Sequence, residues 1–264
     1  MKYPKISIIT VCLNDRSGLE KTIESVLSQT FSDYEYIIVD GGSTDGTIDI
    51  IKKYNTTITH SVSEKDRGIY HAMNKGISFA KGEYCLFLNA GDFLCDENVL
   101  MQVFANKFSS DIIYGNLLYD NGKEINLMQQ PEKLTFYYMF TKYLFHPSTL
   151  VKRSLFDKTG NYNEDLIIAS DYEFLFKAIV IQNATTQYIP IAISQHNNKG
   201  ISSRPENFDL VMNERKEIHK KYLPKMIIDE MKNLSVNSSD IKMFAALKDH
   251  PLRRRLVYLL LKTL

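Results

Sequence analysis

The run YEYIIVDGGSTDGTIDII, residues 34–51, decides the fold. Residues 34–39 are apolar and β-branched at strand length, Asp40 ends them, and residues 41–46 form a Gly-rich turn. Ile48, Ile51 and Tyr54 then continue at helical spacing. Upstream, residues 5–13 (KISIITVCL) form another β-branched run. Ser17 and Glu20 have the spacing of a capping box, and Leu19, Ile23, Val26 and Leu27 fall on one helix face. Strand, helix, strand, helix implies a parallel sheet with right-handed crossovers. Downstream come a short strand at 58–62, a helix at 69–80, and the run 84–88, apolar enough for a strand buried on both faces. That run stops at Asn89-Ala90-Gly91-Asp92. Ligands of open parallel sheets bind outside the carboxyl ends of the strands, and Asp40, residues 64–66 and Asp92 all follow strands, so acidic groups converge on one edge.

Beyond residue 110 the pattern becomes α+β. Residues 111–115 and 117–120, with Asn121-Gly122 as a hairpin signal, predict mixed or antiparallel strands. A helix is expected around 172–180 and a strand at 187–193 interrupted by Pro190; from 205 onward the chain is polar and helix-rich. With 264 residues, 44% hydrophobic and 24% charged, and with 16 Tyr and 14 Phe, the sequence is neither disordered nor low in complexity. No apolar run reaches the roughly 20 residues that cross a bilayer. The N-terminal stretch has no secretory pattern, and three cysteines without CxxC spacing argue against disulfides or a thiolate zinc site, so a cytoplasmic protein with buried thiols is expected. The net charge of +1 excludes a chain dominated by nucleic-acid electrostatics, yet residues 204–264 hold 13 Lys and Arg against 8 Asp and Glu, net +5, leaving −4 on the rest.

Each motif has a plain structural alternative. The turn Asp40-Gly41-Gly42-Ser43-Thr44-Asp45-Gly46 is neither GxGxxG nor a Walker A loop; it serves as a capped turn or as an anion-friendly ligand turn whose hydroxyls cap the next helix. Asp92 either caps a helix beginning near Glu97 or offers oxygen to Mg²⁺ or Mn²⁺, a single carboxylate sufficing only where a diphosphate completes the shell. Asp171, in Ser170-Asp171-Tyr172-Glu173, caps a helix or acts as a general base. His146, before Pro147, and His196, in a polar loop with Lys199, lack zinc-like spacing and read as structural, His196 with the option of facing a phosphate.

The blocks ISIITVCLN, TIESVLSQTFSDYEYIIVDGGSTDGT, EKDRGIYHAMNKGI, GEYCLFLNAGD and FHPSTLVKRSLFDKTGNYNEDLIIASDYEFLFK resemble, in order and spacing, the family 2 glycosyltransferases with the GT-A fold. The likeness covers residues 5–203 and is greatest to bacterial enzymes that extend O-antigen, capsule and related polysaccharides. It implies an α/β, Rossmann-like, mostly parallel sheet with helices on both faces and a mixed acceptor-side half. Residues 1–203 would form the glycosyltransferase domain and 204–264 a helical, basic extension. It further implies that Thr10, Val11, Asp40 and Gly41 contact the nucleoside, that Asp66, Arg67 and Asn89 sit beside the nucleotide sugar, that Asp92 binds the metal, and that Asp171 is the catalytic base. Many relatives read VDDGS at 39–43 and a paired Asp-Asp at 91–92, where this chain has Gly41 and Gly91.

Sugar transfer needs charge compensation for a departing diphosphate, supplied by Mn²⁺ or Mg²⁺, and a carboxylate to take the acceptor's proton. The expected activity is an inverting, metal-dependent hexosyl- or N-acetylhexosaminyltransfer from a nucleotide sugar, a UDP-sugar favoured, to a glycan or polyprenyl-linked acceptor. A sugar-1-phosphate nucleotidyltransferase would carry a basic, Gly-rich loop where Val11-Cys12-Leu13-Asn14 stands; a non-catalytic nucleotide- or glycan-binding module would not need Asp171. In the basic and apolar segment 252–262, Arg253, Arg254, Arg255 and Lys262 flank leucines, a pattern for peripheral contact with the inner membrane face or for a docked terminal helix.

Overall fold

The first half alternates strand and helix: β1 (Ile6–Cys12), α1 (Arg16–Leu27), β2 (Tyr34–Asp40), α2 (Thr47–Lys53), β3 (His60–Ser63), α3 (Ile69–Phe79) and β4 (Tyr84–Phe87). Then come β5 (Phe93–Leu94), α4 (Val99–Phe104), β6 (Ile112–Asp120), β7 (Ile125–Met128), α5 (Phe136–Thr141), β8 (Thr149–Lys152), α6 (Arg153–Thr159), α7 (Ser170–Phe176) and β9 (Thr186–Asn197). A π-helical turn, Lys177–Ile181, continues α7, and α8 (Phe208–Tyr222) and α9 (Lys225–Val236) follow β9. The computed structural model describes residues 3–105, 108–197, 200 and 204–236. The chain divides into two compact units, Met1–Ile218 and His219–Leu264. In the second, α9 buries Ile228 and Met231. The segment 252–262 lies outside the described residues, as does Lys199.

The sheet order is β3-β2-β1-β4-β8-β6-β9-β5, with β7 paired to β6. β1 is buried along its whole length, so its peptide groups must be satisfied by two neighbours; β2 and β4 pair with it in parallel. Leu19, Ile23 and Val26 of α1 are fully buried, as the spacing requires. At Gly76 of α3 a Cβ would stand 2.4 Å from Ile9 Cγ2, so glycine there lets helix and sheet meet. Beyond β4 the topology turns mixed: β8 runs antiparallel to β4 and β6, while β9 is parallel to β6 and antiparallel to β5.

Several local expectations are corrected. α1 is capped by Asp15, whose Oδ1 accepts from Gly18 N at 2.9 Å, instead of by Ser17. α2 begins after Gly46, which lies at positive φ, and the bond to Thr47 N comes from Asp45, so neither Ser43 nor Thr44 caps it. The helix expected near Glu97 is α4, whose N-cap is Asn98, so Asp92 does not cap it. The third strand is shifted to His60–Ser63. β9 continues through Pro190, and its register against β6 shifts between Tyr114 and Asn116, the irregularity where a residue without an N–H is tolerated.

One buried carboxylate ties three segments. Glu35 Oε1 accepts from Ser7 Oγ (2.6 Å), Lys81 N (2.5 Å) and Gly82 N (3.0 Å), and Glu35 is only 7% exposed. Glu35→Ala strands these donors and is expected to cost about 3 kcal/mol, the penalty for buried polar groups left without partners. Urea unfolding measures it; a change below about 1 kcal/mol, the worth of one ordinary hydrogen bond, would contradict the account.

Candidate active site

The site assembles on the carboxyl ends of β1, β2, β3 and β4. Asp40, the last residue of β2, is fully buried. Its Oδ2 accepts from Ser63 Oγ (2.5 Å), Ser43 N (3.0 Å) and Gly42 N (3.2 Å), and its Oδ1 from Ser43 Oγ (2.5 Å) and Cys12 Sγ (3.5 Å). Burial opposes the charge, but the bonds from Ser43, Ser63 and Cys12 outweigh it and hold the carboxyl below its ordinary range. In this structure Asp40 shapes the turn between β2 and α2. Thr10 is likewise buried, its hydroxyl 3.0 Å from that of Tyr36, and Val11 is buried beside it, its carbonyl accepting from Ala90 N.

Gly41 opens the turn toward Asp66. A Cβ on Gly41 would stand 3.4 Å from Asp66 Oδ2 and 3.4 Å from Leu13 Cδ1. Asp66 Oδ1 meets Lys75 Nζ (2.6 Å) and His71 Nδ1 (2.7 Å), whereas Oδ2 is buried with no hydrogen-bond partner among the described residues. Burial disfavours the Lys75 charge, yet Asp66 and Glu64 together raise its pKa. A fixed carboxylate with one unused, buried oxygen beside a glycine is suited to an incoming N–H or O–H group. Arg67, from the same block, points elsewhere: its guanidinium pairs with Glu164 at 2.5 Å and is largely exposed.

The turn after β4 is fixed by Thr22 of α1, whose Oγ1 donates to Asp92 O (2.7 Å) and accepts from Gly91 N (3.0 Å). Asp92 is 3% exposed, and its Oδ1 lies 2.5 Å from His196 Nδ1. The strand register explains this contact. β5 starts one residue after Asp92 and pairs antiparallel with β9, Phe93 opposite Gln195, which brings His196 to Asp92. Burial works against a charged His196, but the bond to Asp92 and its charge together raise the imidazole above its ordinary 6.5. In the same turn, Asn89 Oδ1 is buried without a partner among the described residues. Among the described residues no group of three or more His, Cys, Asp or Glu is placed to hold a metal ion. The donors at hand are one carboxylate and one amide oxygen without a partner among the described residues, with the His196 imidazole engaged by Asp92, a set that fits a hard divalent cation whose shell is completed by substrate oxygens and water.

Asp171 lies in the first turn of α7 but does not cap it; the N-cap is Ala169, which has no side chain able to do so. Tyr70 Oη donates to Ile168 O (2.5 Å) and lies 3.1 Å from Asp171 Oδ1. Burial first, and the Asp171 charge after it, push the Tyr70 hydroxyl well above its ordinary range, so it stays a donor. Behind them, His146 is buried, with Nε2 2.9 Å from Tyr162 Oη and its ring stacked on Phe87 at 5.1 Å. Burial lowers the His146 pKa while the charges of both Asp171 and Asp92 act to raise it. The two carboxylates, 79 residues apart in sequence, thus act electrostatically on the same buried ring. The Tyr70–Asp171 and Asp92–His196 contacts carry no local sequence signal; the first joins α3 to α7 and the second follows from the pairing of β5 with β9. Cys12 and Cys85 are buried, Cys95 half-buried, and all three are free thiols whose pKa burial pushes upward.

A sheet of this order, with acidic turns gathered at the carboxyl ends of its parallel half, defines a GT-A-like glycosyltransferase fold. Residues 7–166 match the family model Glycosyl transferase family 2, and the chain belongs to that family. The PGL/p-HBAD biosynthesis glycosyltransferase of Mycobacterium tuberculosis is 29% identical over 211 residues, covering 76% of this chain and 79% of the relative. A glycosyltransferase of Methanocaldococcus jannaschii is 29% identical over 195 residues, 68% of this chain and 66% of its own. Among solved structures, S. aureus TarS 1–349 in complex with UDP-GlcNAc superposes with a TM-score of 0.67 at 23% identity, over 86% of this chain and 70% of that one. The mannosyltransferase PcManGT of Pyrobaculum calidifontis, in complex with GDP-Man and Mn²⁺, gives 0.59 at 16% identity, over 97% and 83%. Both structures bear on the fold alone. The family sets aside the nucleotidyltransferase and binding-module alternatives. Asp171 and His196 lie outside the matched residues.

The Asp92–His196 pair makes a pH-dependent contribution. A raised His196 pKa means that stability from the pair is fully present below about 6.5 and is lost as pH rises through the folded value. In metal-free protein, NMR titration of the His196 ring should give a midpoint above 6.5, and Asp92→Asn should bring it down. A midpoint at or below 6.5 in the wild-type chain would refute the pairing.

Proposed function

We propose that this glycosyltransferase moves a sugar from a nucleotide-sugar donor, preferentially a UDP-sugar, to a hydroxyl of a growing, lipid-linked surface polysaccharide, with inversion and with a divalent cation. The observation that carries the reading is the pair of placed carboxylates: Asp92, buried in the turn after β4 against His196, and Asp171, in the first turn of α7 beside the Tyr70 hydroxyl. It supplies two separated carboxylates, one beside cation-type donors and one on a helix end, as a single displacement requires. UDP-GlcNAc in TarS, and GDP-Man with Mn²⁺ in the archaeal enzyme, support the donor class and the cation.

In this reading Gly41 leaves room for the nucleoside, and Asp66 Oδ2 accepts a hydrogen bond from it. Asp40 acts by holding the turn that Gly41 opens, with Thr10 and Val11 as the floor beneath. Arg67 leaves Glu164 to reach the donor phosphates. Asp92, with Asn89 and His196 beside it, would hold Mn²⁺ or Mg²⁺, which supplies charge compensation to the diphosphate. Asp171 Oδ2, which has no donor among the described residues, takes the acceptor proton as the acceptor oxygen bonds to the anomeric carbon. The bond from that carbon to the diphosphate breaks on the opposite face, and the nucleoside diphosphate leaves with the electron pair. Residues 1–203 form the transferase domain and 204–264 an extension in this reading. Attachment through segment 252–262 would hold the enzyme at the cytoplasmic membrane face, since no helix among the described residues is long and apolar enough to cross a membrane.

Two substitutions separate the roles, assayed with a panel of UDP-, GDP- and dTDP-sugars and polyprenyl-linked acceptors. Asp92→Ala should lower cation-dependent turnover by about 10³-fold or more, against a small effect of Asp45→Ala. Normal Mn²⁺-dependent turnover in the Asp92 variant would remove the metal assignment. Asp171→Asn should leave UDP affinity within about twofold while the transfer rate drops by about 10³-fold or more, because the amide keeps the shape but cannot take a proton. Parallel loss of affinity and rate would place Asp171 at the donor instead.

A further inference from the structure

Residues 167–169, the loop immediately before Asp171, have an unusual partner. Their three consecutive N–H groups point at one carboxylate, that of Glu214 in α8: Ile167 N donates to Oε1 at 2.7 Å, and Ile168 N and Ala169 N donate to Oε2 at 3.0 and 2.8 Å. Successive backbone N–H groups form a concave anion site, and charge-assisted bonds of this kind are roughly twice as strong as neutral ones. Ala169, the N-cap of α7, has no side-chain acceptor. The neighbour of Glu214 grips a second segment. Arg215 is buried, its Nη2 donates to Phe140 O (3.1 Å) and Lys142 O (3.0 Å), and its guanidinium lies 4.4 Å from the ring of Tyr172, the residue after Asp171. Tyr172 Oη in turn donates to Met139 O at 2.7 Å.

We infer that Glu214 is a positioning residue for the catalytic carboxylate, so that α8, which lies beyond the family-matched region, is part of the catalytic machinery. The inference rests on Asp171 being the base. The path is short and continuous. Glu214 fixes the peptide groups of 167–169. Ile168 O, at the centre of that stretch, accepts from Tyr70 Oη, and the same hydroxyl lies 3.1 Å from Asp171 Oδ1. Releasing the loop therefore frees Ile168 O, Tyr70 and the first turn of α7 together, and Asp171 loses its fixed direction toward the acceptor. A base must sit within hydrogen-bond reach of the proton it removes, so a displacement near 1 Å is enough to lower the rate about 100-fold. The donor half of the site, on Gly41, Asp66 and Asp92, does not share these bonds.

Glu214→Gln keeps the side-chain length but removes the charge and turns one acceptor into a donor facing an N–H. In the full chain it is expected to lower kcat about 10- to 100-fold, with donor KM and UDP affinity within about twofold. Exchange of backbone amides in 167–172 should rise, while that of β1 and β2 stays unchanged. The decisive comparison is a double-mutant cycle with Asp171→Asn. If Glu214 acts through Asp171, the double variant is no slower than Asp171→Asn alone. Additive losses, an unchanged kcat in Glu214→Gln, or a loss of UDP affinity and thermal stability in step with kcat would each overturn the inference. Full activity in Asp171→Asn would instead sink the base assignment itself, and the positioning role with it.

Discussion

Everything at the site follows from the burial of β1 between two parallel partners. A strand with both faces in the core and both edges in hydrogen-bonded ladders has no place along its length for a charge or an unpaired polar group. Parallel neighbours must then begin and end together, and polar residues collect where the strands stop. β2 stops at Asp40, β3 at Ser63, and β4 runs into the turn carrying Asn89 and Asp92. The donor half of the site is thus a consequence of the register. Ile9 lies opposite both Ile37 and Phe87, so the ends of three strands come level on one edge.

Two carboxylates on β2 show how burial and hydrogen bonding divide the work. Glu35, near the strand's start, binds donors from β1 and from the loop entering β4; Asp40, at its end, binds the turn and β3. Either charge would be costly to bury alone, and each is tolerated because several donors were already obliged to find an acceptor there. Asp40 carries a pH signature. A carboxyl held below its ordinary 3.8 contributes stability that is present above that value and is lost as pH falls through the lower folded one. At neutral pH the turn is therefore fully tied. Under the proposed function a nucleotide would meet the opening at Gly41 and the Asp66 oxygen that has no partner among the described residues, with Asp40 holding the turn behind them.

The parallel half was legible in the sequence because its information is local. Period, strand length and a turn between strand and helix identified β1 to β4 and the three helices between them. Misreadings came where two local signals competed. Asp15 and Ser17 both suit an N-cap, and the chain starts α1 at Arg16 because Asp15 reaches Gly18 N. Asp40 ends a strand in sequence, but nothing local tells that Ser63, from another strand, fills one of its oxygens. The resemblance named Asp92 and Asp171 together, yet what holds each of them in place is nonlocal. Antiparallel pairing of two-residue β5 with β9 sets His196 on Asp92, and the Tyr70 hydroxyl of α3 reaches Asp171. A sequence pattern of period two or 3.6 carries no record of such contacts.

The nonlocal part also bears on what the polar, helix-rich C-terminal stretch is for. Composition separates residues 204–264 from the rest by charge, and polarity alone reads as an appended tail. A tail, however, does not need a buried arginine. Arg215 is 9% exposed, and an unpaired buried cation would cost several kcal/mol. Two backbone carbonyls and the face of Tyr172 accept it, while the adjacent Glu214 takes the opposite charge to three backbone N–H groups. Adjacent residues of opposite sign thus engage a helix end and a loop end on either side of Asp171. Such a pairing fixes the direction of α8 as well as its position. The segment around Asp171 is accordingly held by α8 on both sides, by Glu214 at the loop before α7 and by Arg215 at Tyr172.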